Sequence, residues 1–138
     1  MKVWRMKKKE VEIPKIGDKI KVNFMEQKQT ATCMGLTAEG KPVFLFDNIL
    51  MDLPHDEAEA FCEERGWFLP TKQNLEEWPL MQDYRYRIAG RKESKLSDWW
   101  WLADPAGASC FANVYTDGYC GYGSASGSRG VRPAFLII

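Results

Sequence analysis

The chain has 138 residues, 45% of them hydrophobic, and its 19 basic and 19 acidic side chains cancel to a formal charge of zero. That length suits a single domain, residues 1 to 138, with a core large enough to need neither a metal nor a disulfide. The charge balance argues against a whole-molecule field for nucleic acid or anionic membranes. With no run of 18 apolar residues and no apolar N-terminal stretch, the expectation is a protein without a membrane span or signal peptide, cytoplasmic as synthesised, with virion association left open.

In chain order, Lys7-Lys8-Lys9 reads as a solvated edge or arm. "KIKVNF" alternates Lys19, Lys21 and Asn23 with Ile20, Val22 and Phe24, the period of a half-buried strand. "TATCMGLTAEGKPVFLFDNIL" holds two apolar runs around Ala38-Glu39-Gly40-Lys41, a hairpin in which Gly40 supplies the positive φ. "DLPHDEAEAFCEERGW" changes period: Ala58, Phe61, Cys62 and Arg65 recur at helical spacing, acids crowd the first turn, and Gly66 can stop the helix. The spacing predicts a helix over residues 55 to 65. A second, short helix follows Thr71 as N-cap, carries Leu75 and Trp78 on one face and ends near Pro79.

"DYRYRIAGRKESKLS" is polar and basic and reads as a surface connection with little regular structure. In "DWWWLADP" a strand would set Trp100 opposite Trp99 and Trp101, with at least one of them in the core. "NVYTDGYCGY" has an Asp117-Gly118 turn pair between β-forming residues. A two-residue loop would put Asn113, Tyr115, Cys120 and Tyr122 on one face; a three-residue loop would pair Tyr115 with Tyr119 and turn Cys120 inward with Val114. "VRPAFLII" reads as a buried terminal strand. The four cysteines, at 33, 62, 110 and 120, form no C-x-x-C pair and lie far in sequence from His55, the single histidine, which argues against a zinc site. Cys110 and Cys120 flank the turn and could bridge, but free thiols are expected in a chain without secretion signals.

Composition breaks sharply after Trp101. Residues 1 to 101 contain 12 Lys, 11 Glu, 4 Gln, 6 Met and 6 Trp, and the remaining 37 residues contain none of the five types. Glycine-rich turns are naturally poor in Met and Trp, but exposed loops accept Lys and Glu readily. Their absence therefore asks for a filter, structural or genetic.

Early strands, then "HDEAEAFCEERG", "FLPTKQNLEEW", "WWWLADP", a glycine-rich hairpin and "GVRPAFLII" together resemble the C-type lectin fold over roughly residues 17 to 138. The resemblance implies an α+β fold, two helices packed on antiparallel sheets with a long C-terminal loop-hairpin segment. The closing Trp-Leu strand, small-residue stretch and "GVRPAF" resemble the bacterial, archaeal and phage branch that includes variable proteins of diversity-generating retroelements. In those systems, randomising adenines of pyrimidine-ending asparagine codons yields a set that cannot encode Lys, Glu, Gln, Met or Trp. The resemblance thus implies a hypervariable region at 103 to 128 and a display protein, not an enzyme, for a macromolecular ligand, expected to be a protein and not nucleic acid or membrane. It implies no cofactor and no metal, and leaves the oligomeric state open.

Tyrosine offers stiff amphipathic contact area while Ser, Gly and Asn offer adaptable hydrogen bonds. The expected contact residues are Asp104, Ala106, Ala108, Cys110, Phe111, Asn113, Tyr115, Tyr119, Tyr122, Ser124, Ser126 and Ser128. Phe111 could instead plug the core, and each tyrosine could be a half-buried sheet residue. Val114, Val131, Phe135 and Trp99 to Trp101 read as scaffold. Three alternatives stand beside this one. A fixed structural or interaction module would use the same fold without diversification. A calcium-dependent sugar lectin would need Glu-Pro-Asn or Gln-Pro-Asp and Trp-Asn-Asp motifs that are absent. The "LPT" segment resembles the formylglycine-generating enzymes, for which Cys110 and Cys120 are the sole candidate pair and no histidine follows His55.

Overall fold

The structure is a computed structural model that describes residues 13–91 and 96–137; the Lys7-Lys8-Lys9 run lies outside the described residues. Strand β1 (Lys19–Phe24) exposes its Lys and Asn and half-buries Ile20, Val22 and Phe24, as its alternation predicts. It pairs with β2 (Gln27–Leu36) through a two-residue turn whose Met25 and Glu26 both have positive φ. Across the turn where Gly40 adopts φ 83°, β2 pairs with β3 (Pro42–Phe46). Two short strands follow, β4 (Asn48–Ile49) and β5 (Met51–Leu53).

Helix α1 (His55–Glu64) carries Asp56 and Glu57 in its first turn, where acidic side chains favour the helix dipole, and buries His55, Ala58 and Cys62. Arg65 turns outward, its guanidinium lying 3.9 Å from the centre of the Phe61 ring. Helix α2 (Lys72–Glu77) opens with a reciprocal cap: the Asn74 N–H donates to Thr71 Oγ1 at 3.0 Å and the Thr71 N–H to Asn74 Oδ1 at 2.9 Å. Leu75 and Trp78 are buried, as their spacing requires.

The basic segment after α2 departs from its expected reading. After a 3-10 turn at Pro79–Gln82, it forms a second at Tyr84–Arg87, then β6 (Gly90–Arg91), which pairs in parallel with β4. Arg87 is buried because carbonyl oxygens converge on it, Met81 O accepting from Nε at 2.8 Å. Lys92 to Lys95 lie outside the described residues.

The C-terminal third supplies β7 (Trp100–Pro105), β8 (Cys110–Val114), β9 (Cys120–Ser124), β10 (Arg129–Val131) and β11 (Ala134–Leu136). One antiparallel sheet runs β1-β2-β3-β11; the other runs β5-β10-β7-β8-β9, antiparallel except for the parallel pair β10 and β7. The mixture of few helices and mostly antiparallel sheets is an α+β architecture. "VRPAFLII" is therefore two strands in two sheets. Pro133 has no N–H for a ladder, and the chain changes sheets there. Beside it Arg132 is buried, with Nε donating to Phe46 O at 2.7 Å and Nη1 to Tyr86 O at 3.1 Å. Burial pulls its pKa down to about 10, so the guanidinium stays charged at neutral pH.

Successive tryptophans of β7 point to opposite faces, and both faces are covered. Trp100 joins Met34, Leu45, Leu75 and Val114 on one side; Trp101 joins Ala58, Cys62 and Val131 under α1 on the other. Both are fully buried, and only Trp99 is half-buried.

Candidate functional site

β8 and β9 form a hairpin that pairs Cys110 with Ser124, Ala112 with Tyr122 and Val114 with Cys120. The Tyr115 N–H donates to Tyr119 O at 2.8 Å and the Gly118 N–H to Tyr115 O at 2.9 Å, with Gly118 at φ 88°. This is the three-residue loop ending in a left-handed glycine. Cys120 lies opposite Val114, yet it is exposed while Val114 is buried, because among the described residues β9 is the edge strand of the sheet.

The hairpin tip is gripped by the 84 to 87 turn. A Cβ on Gly118 would come within 2.9 Å of Tyr84 O, so no larger residue fits without movement. The Arg87 guanidinium lies 4.0 Å from the centre of the Tyr84 ring, and the Tyr84 and Tyr119 rings meet edge to face at 4.9 Å. Sequence reasoning missed this clamp, because the inward turn of Arg87 depends on carbonyls that only the folded chain assembles.

The twelve expected contact residues separate into groups. Ala106, Ala108, Tyr119, Tyr122, Ser124, Ser126 and Ser128 are exposed, and Cys110 is half-buried. Asp104 spends one carboxylate oxygen on the fold, with Oδ1 accepting from the Lys72 N–H at 2.9 Å at the start of α2. Phe111 stacks on His55 with centroids 3.5 Å apart and planes 9° from parallel, the core plug of the two readings. Asn113 is fully buried, and neither atom of its amide has a hydrogen-bond partner among the described residues. In this conformation Asn113 offers no surface to a ligand, because the pairing of β8 with β7 sets it beside Trp101 on the α1 side. Tyr115 is half-buried, its ring 4.6 Å from that of Trp99 and its hydroxyl bonded to the main chain of Tyr122.

His55 and Arg129 lie beside these residues. His55 is buried, its Nε2 2.8 Å from Leu102 O, and it makes a T-shaped contact with Trp101. A carbonyl only accepts, so Nε2 carries the proton. Arg129 places its guanidinium 5.1 Å from the centre of the Trp99 ring, and with Ser97, Asp98 and Trp99 it lines an open cavity of about 270 Å³. A cavity of about 520 Å³ lies between the first sheet and α2 and is lined by no hairpin residue.

Cys110 and Cys120 are both free. Their register partners lie at opposite ends of the hairpin, so four residues of strand, about 13 Å, separate them, too far for a disulfide. Burial pushes the Cys120 thiol up, opposed by the charges of Arg87 and Lys72.

The family described as Domain of unknown function (DUF6273) matches residues 57–138, which spans α1 to the C-terminus, and the chain belongs to that family. No curated protein and no solved structure matches the chain. No helix among the described residues is long and apolar enough to cross a membrane.

Proposed function

We propose that this member of the DUF6273 family is a ligand-binding display protein of C-type lectin fold, whose segment 103 to 128 is diversified to recognise varied protein ligands. One observation carries the reading. The stretch that lacks Lys, Glu, Gln, Met and Trp includes a hairpin and flanking loops that carry a run of exposed side chains, while Trp78, Trp100, Trp101, Met34 and Met81 lie in the core beneath. A surface can change composition without unfolding its support only where the two are separated in this way.

Asn113 adds support. A fully buried amide with no partner costs about 1 to 3 kcal/mol, a residue that selection for stability would replace. Asparagine is the residue from which adenine-directed diversification starts. The tyrosine- and serine-rich surface suits a protein better than a small molecule, which would be held in an apolar concavity.

A fixed interaction module of the same fold is the second reading, and a specific observation favours it: a Cβ at position 118 would crowd Tyr84 O, and one at 121 would collide with the Tyr115 ring as it stands. Residues that depend on one another in this way are expected of a hairpin kept constant.

The test replaces the exposed set, Ala106, Ala108, Tyr119, Tyr122, Ser124, Ser126 and Ser128, with other residues from the pyrimidine-ending alphabet, keeping the rest. Both chains are then screened against one panel of cell-surface proteins. The expected result is two folded chains with different binding profiles. Identical profiles overturn the reading in favour of the fixed module. Sequencing the surrounding locus checks the diversification independently: an imperfect repeat of the codons for 103 to 130, differing only at adenines, beside a reverse transcriptase gene is the expected finding.

A further inference from the structure

β9 is the last strand of its sheet. The bonds from Tyr115 N–H to Tyr119 O and from Ala125 N–H to Ser109 O bracket its pairing with β8. Alternation along an antiparallel pair then directs the main-chain groups of Gly121 and Gly123 toward β8, and those of Cys120, Tyr122 and Ser124 toward the free edge. The Ser124 carbonyl is taken by the Gly127 N–H at 3.1 Å. At the middle residue, the Tyr115 hydroxyl accepts from the Tyr122 N–H at 3.2 Å and donates to Tyr122 O at 3.3 Å.

Those two bonds are the pair that a residue of an added antiparallel strand would exchange with Tyr122. One phenol oxygen stands in for a peptide unit. It reaches the edge by crossing Gly121, where a Cβ would collide with the Tyr115 ring. The strand itself, "CGYGS", has none of the lysines, prolines or bulges that blunt exposed edges. Tyr119 and Tyr122, 60% and 65% exposed, stand ready to grip side chains of an added strand.

We infer that the outer edge of β9 docks an extended segment of a protein partner as an antiparallel strand, and that Tyr115 occupies this edge until the segment displaces it. The inference rests on the reading of the hairpin as the ligand-binding face, and it narrows recognition to main-chain pairing with side-chain grips. A partner segment fits better than a second copy of this chain. Two copies meeting through β9 would each have to release a tyrosine, whereas a foreign strand displaces one.

The test starts from Tyr115→Phe, which keeps the ring against Trp99 and removes only the hydroxyl. Hydrogen exchange at the Tyr122 amide should accelerate in that variant; unchanged exchange overturns the plug. A phage-displayed library of random heptapeptides is then selected on the variant. The binders are titrated against wild type, the variant, and a variant whose Tyr122 nitrogen is methylated, made by ligating synthetic residues 120 to 138 at Cys120. Expected affinities are at least about tenfold weaker for wild type and for the methylated chain than for Tyr115→Phe. Binders indifferent to the methyl group but lost on Tyr119→Ala or Tyr122→Ala overturn edge docking and leave the ligand-binding face standing. Binders indifferent to all three changes overturn both. A library that yields no binder overturns edge docking, and a Tyr115→Phe chain that dimerises by light scattering overturns the choice of occupant.

Discussion

In β10, Gly130 lies where an added Cβ would come within 2.6 Å of Ile49 Cδ1 and 2.7 Å of the Trp99 carbonyl oxygen; in β9, the three atoms nearest to a Cβ on Gly121 all belong to the Tyr115 side chain. Both are glycines in short strands of one sheet. The first is closed in by backbone and by a core residue that is fully buried. The second is closed in by a ring whose far end is held by two long hydrogen bonds at the sheet edge. What separates a scaffold position from a readout position is therefore not residue type or strand membership. It is whether the neighbour that fills the space can move.

The largest test of that difference is on the scaffold side. Trp101 is fully buried beneath α1, and its indole N–H donates to Leu53 O at 2.8 Å. Replacing it by alanine should cost about 3 to 5 kcal/mol in a urea melt. A loss under about 1 kcal/mol would mean that the α1 side of β7 is not the rigid support assumed here.

The glycine pair gives the direct comparison. Gly130→Ala should cost about 1 to 3 kcal/mol, since Ile49 and the Trp99 carbonyl must both yield. Gly121→Ala should cost about 1 kcal/mol, the loss of the hydroxyl contacts as Tyr115 swings away. Equal losses in the two variants would erase the distinction between them.

Asn113 blurs the boundary, since it belongs to the filtered segment by sequence and to the interior by position. Asn113→Leu, of similar volume, removes a buried amide without partners and should raise stability by about 1 kcal/mol, read by the same urea melt. A comparable loss would mean that the amide supports the fold.

How much of this was legible beforehand follows from how local each feature is. The alternation of β1, the Gly40 turn, the acid-first α1 and the Thr71 cap all depend on neighbours within a few residues, and all are where periodicity and turn chemistry put them. The β1 to β2 turn left no mark, because Met25 and Glu26 are not residues that advertise positive φ. Arg87 falls in a segment that reads as a surface connection, and nothing local sets Arg132 apart within its strand; the carbonyls that hold the two come from Met81, Phe46 and Tyr86, which no local pattern gathers. In the hairpin, exposure of Tyr119, Tyr122 and the serines was readable from composition. The inward turn of Asn113 was not, since the pairing of β8 with Trp101 of β7 fixes it, a contact between strands that no local pattern shows.

The smallest expected effect concerns the two cysteines of the hairpin, and it marks the readout end of the comparison. Cys110 is half-buried and Cys120 exposed, both are free, and their strand positions keep them apart. Neither closes a loop, so removing both sulfurs leaves the entropy of the unfolded chain unchanged. Each side chain sits on the face that carries Tyr122 and Ser124, where a hydroxyl meets solvent at little cost. Cys110→Ser with Cys120→Ser should therefore melt within about 0.5 kcal/mol of the parent, with or without reductant. A larger loss would assign one of the thiols to the scaffold, and a loss that appears only under reducing conditions in the parent would reveal a bridge that this register forbids.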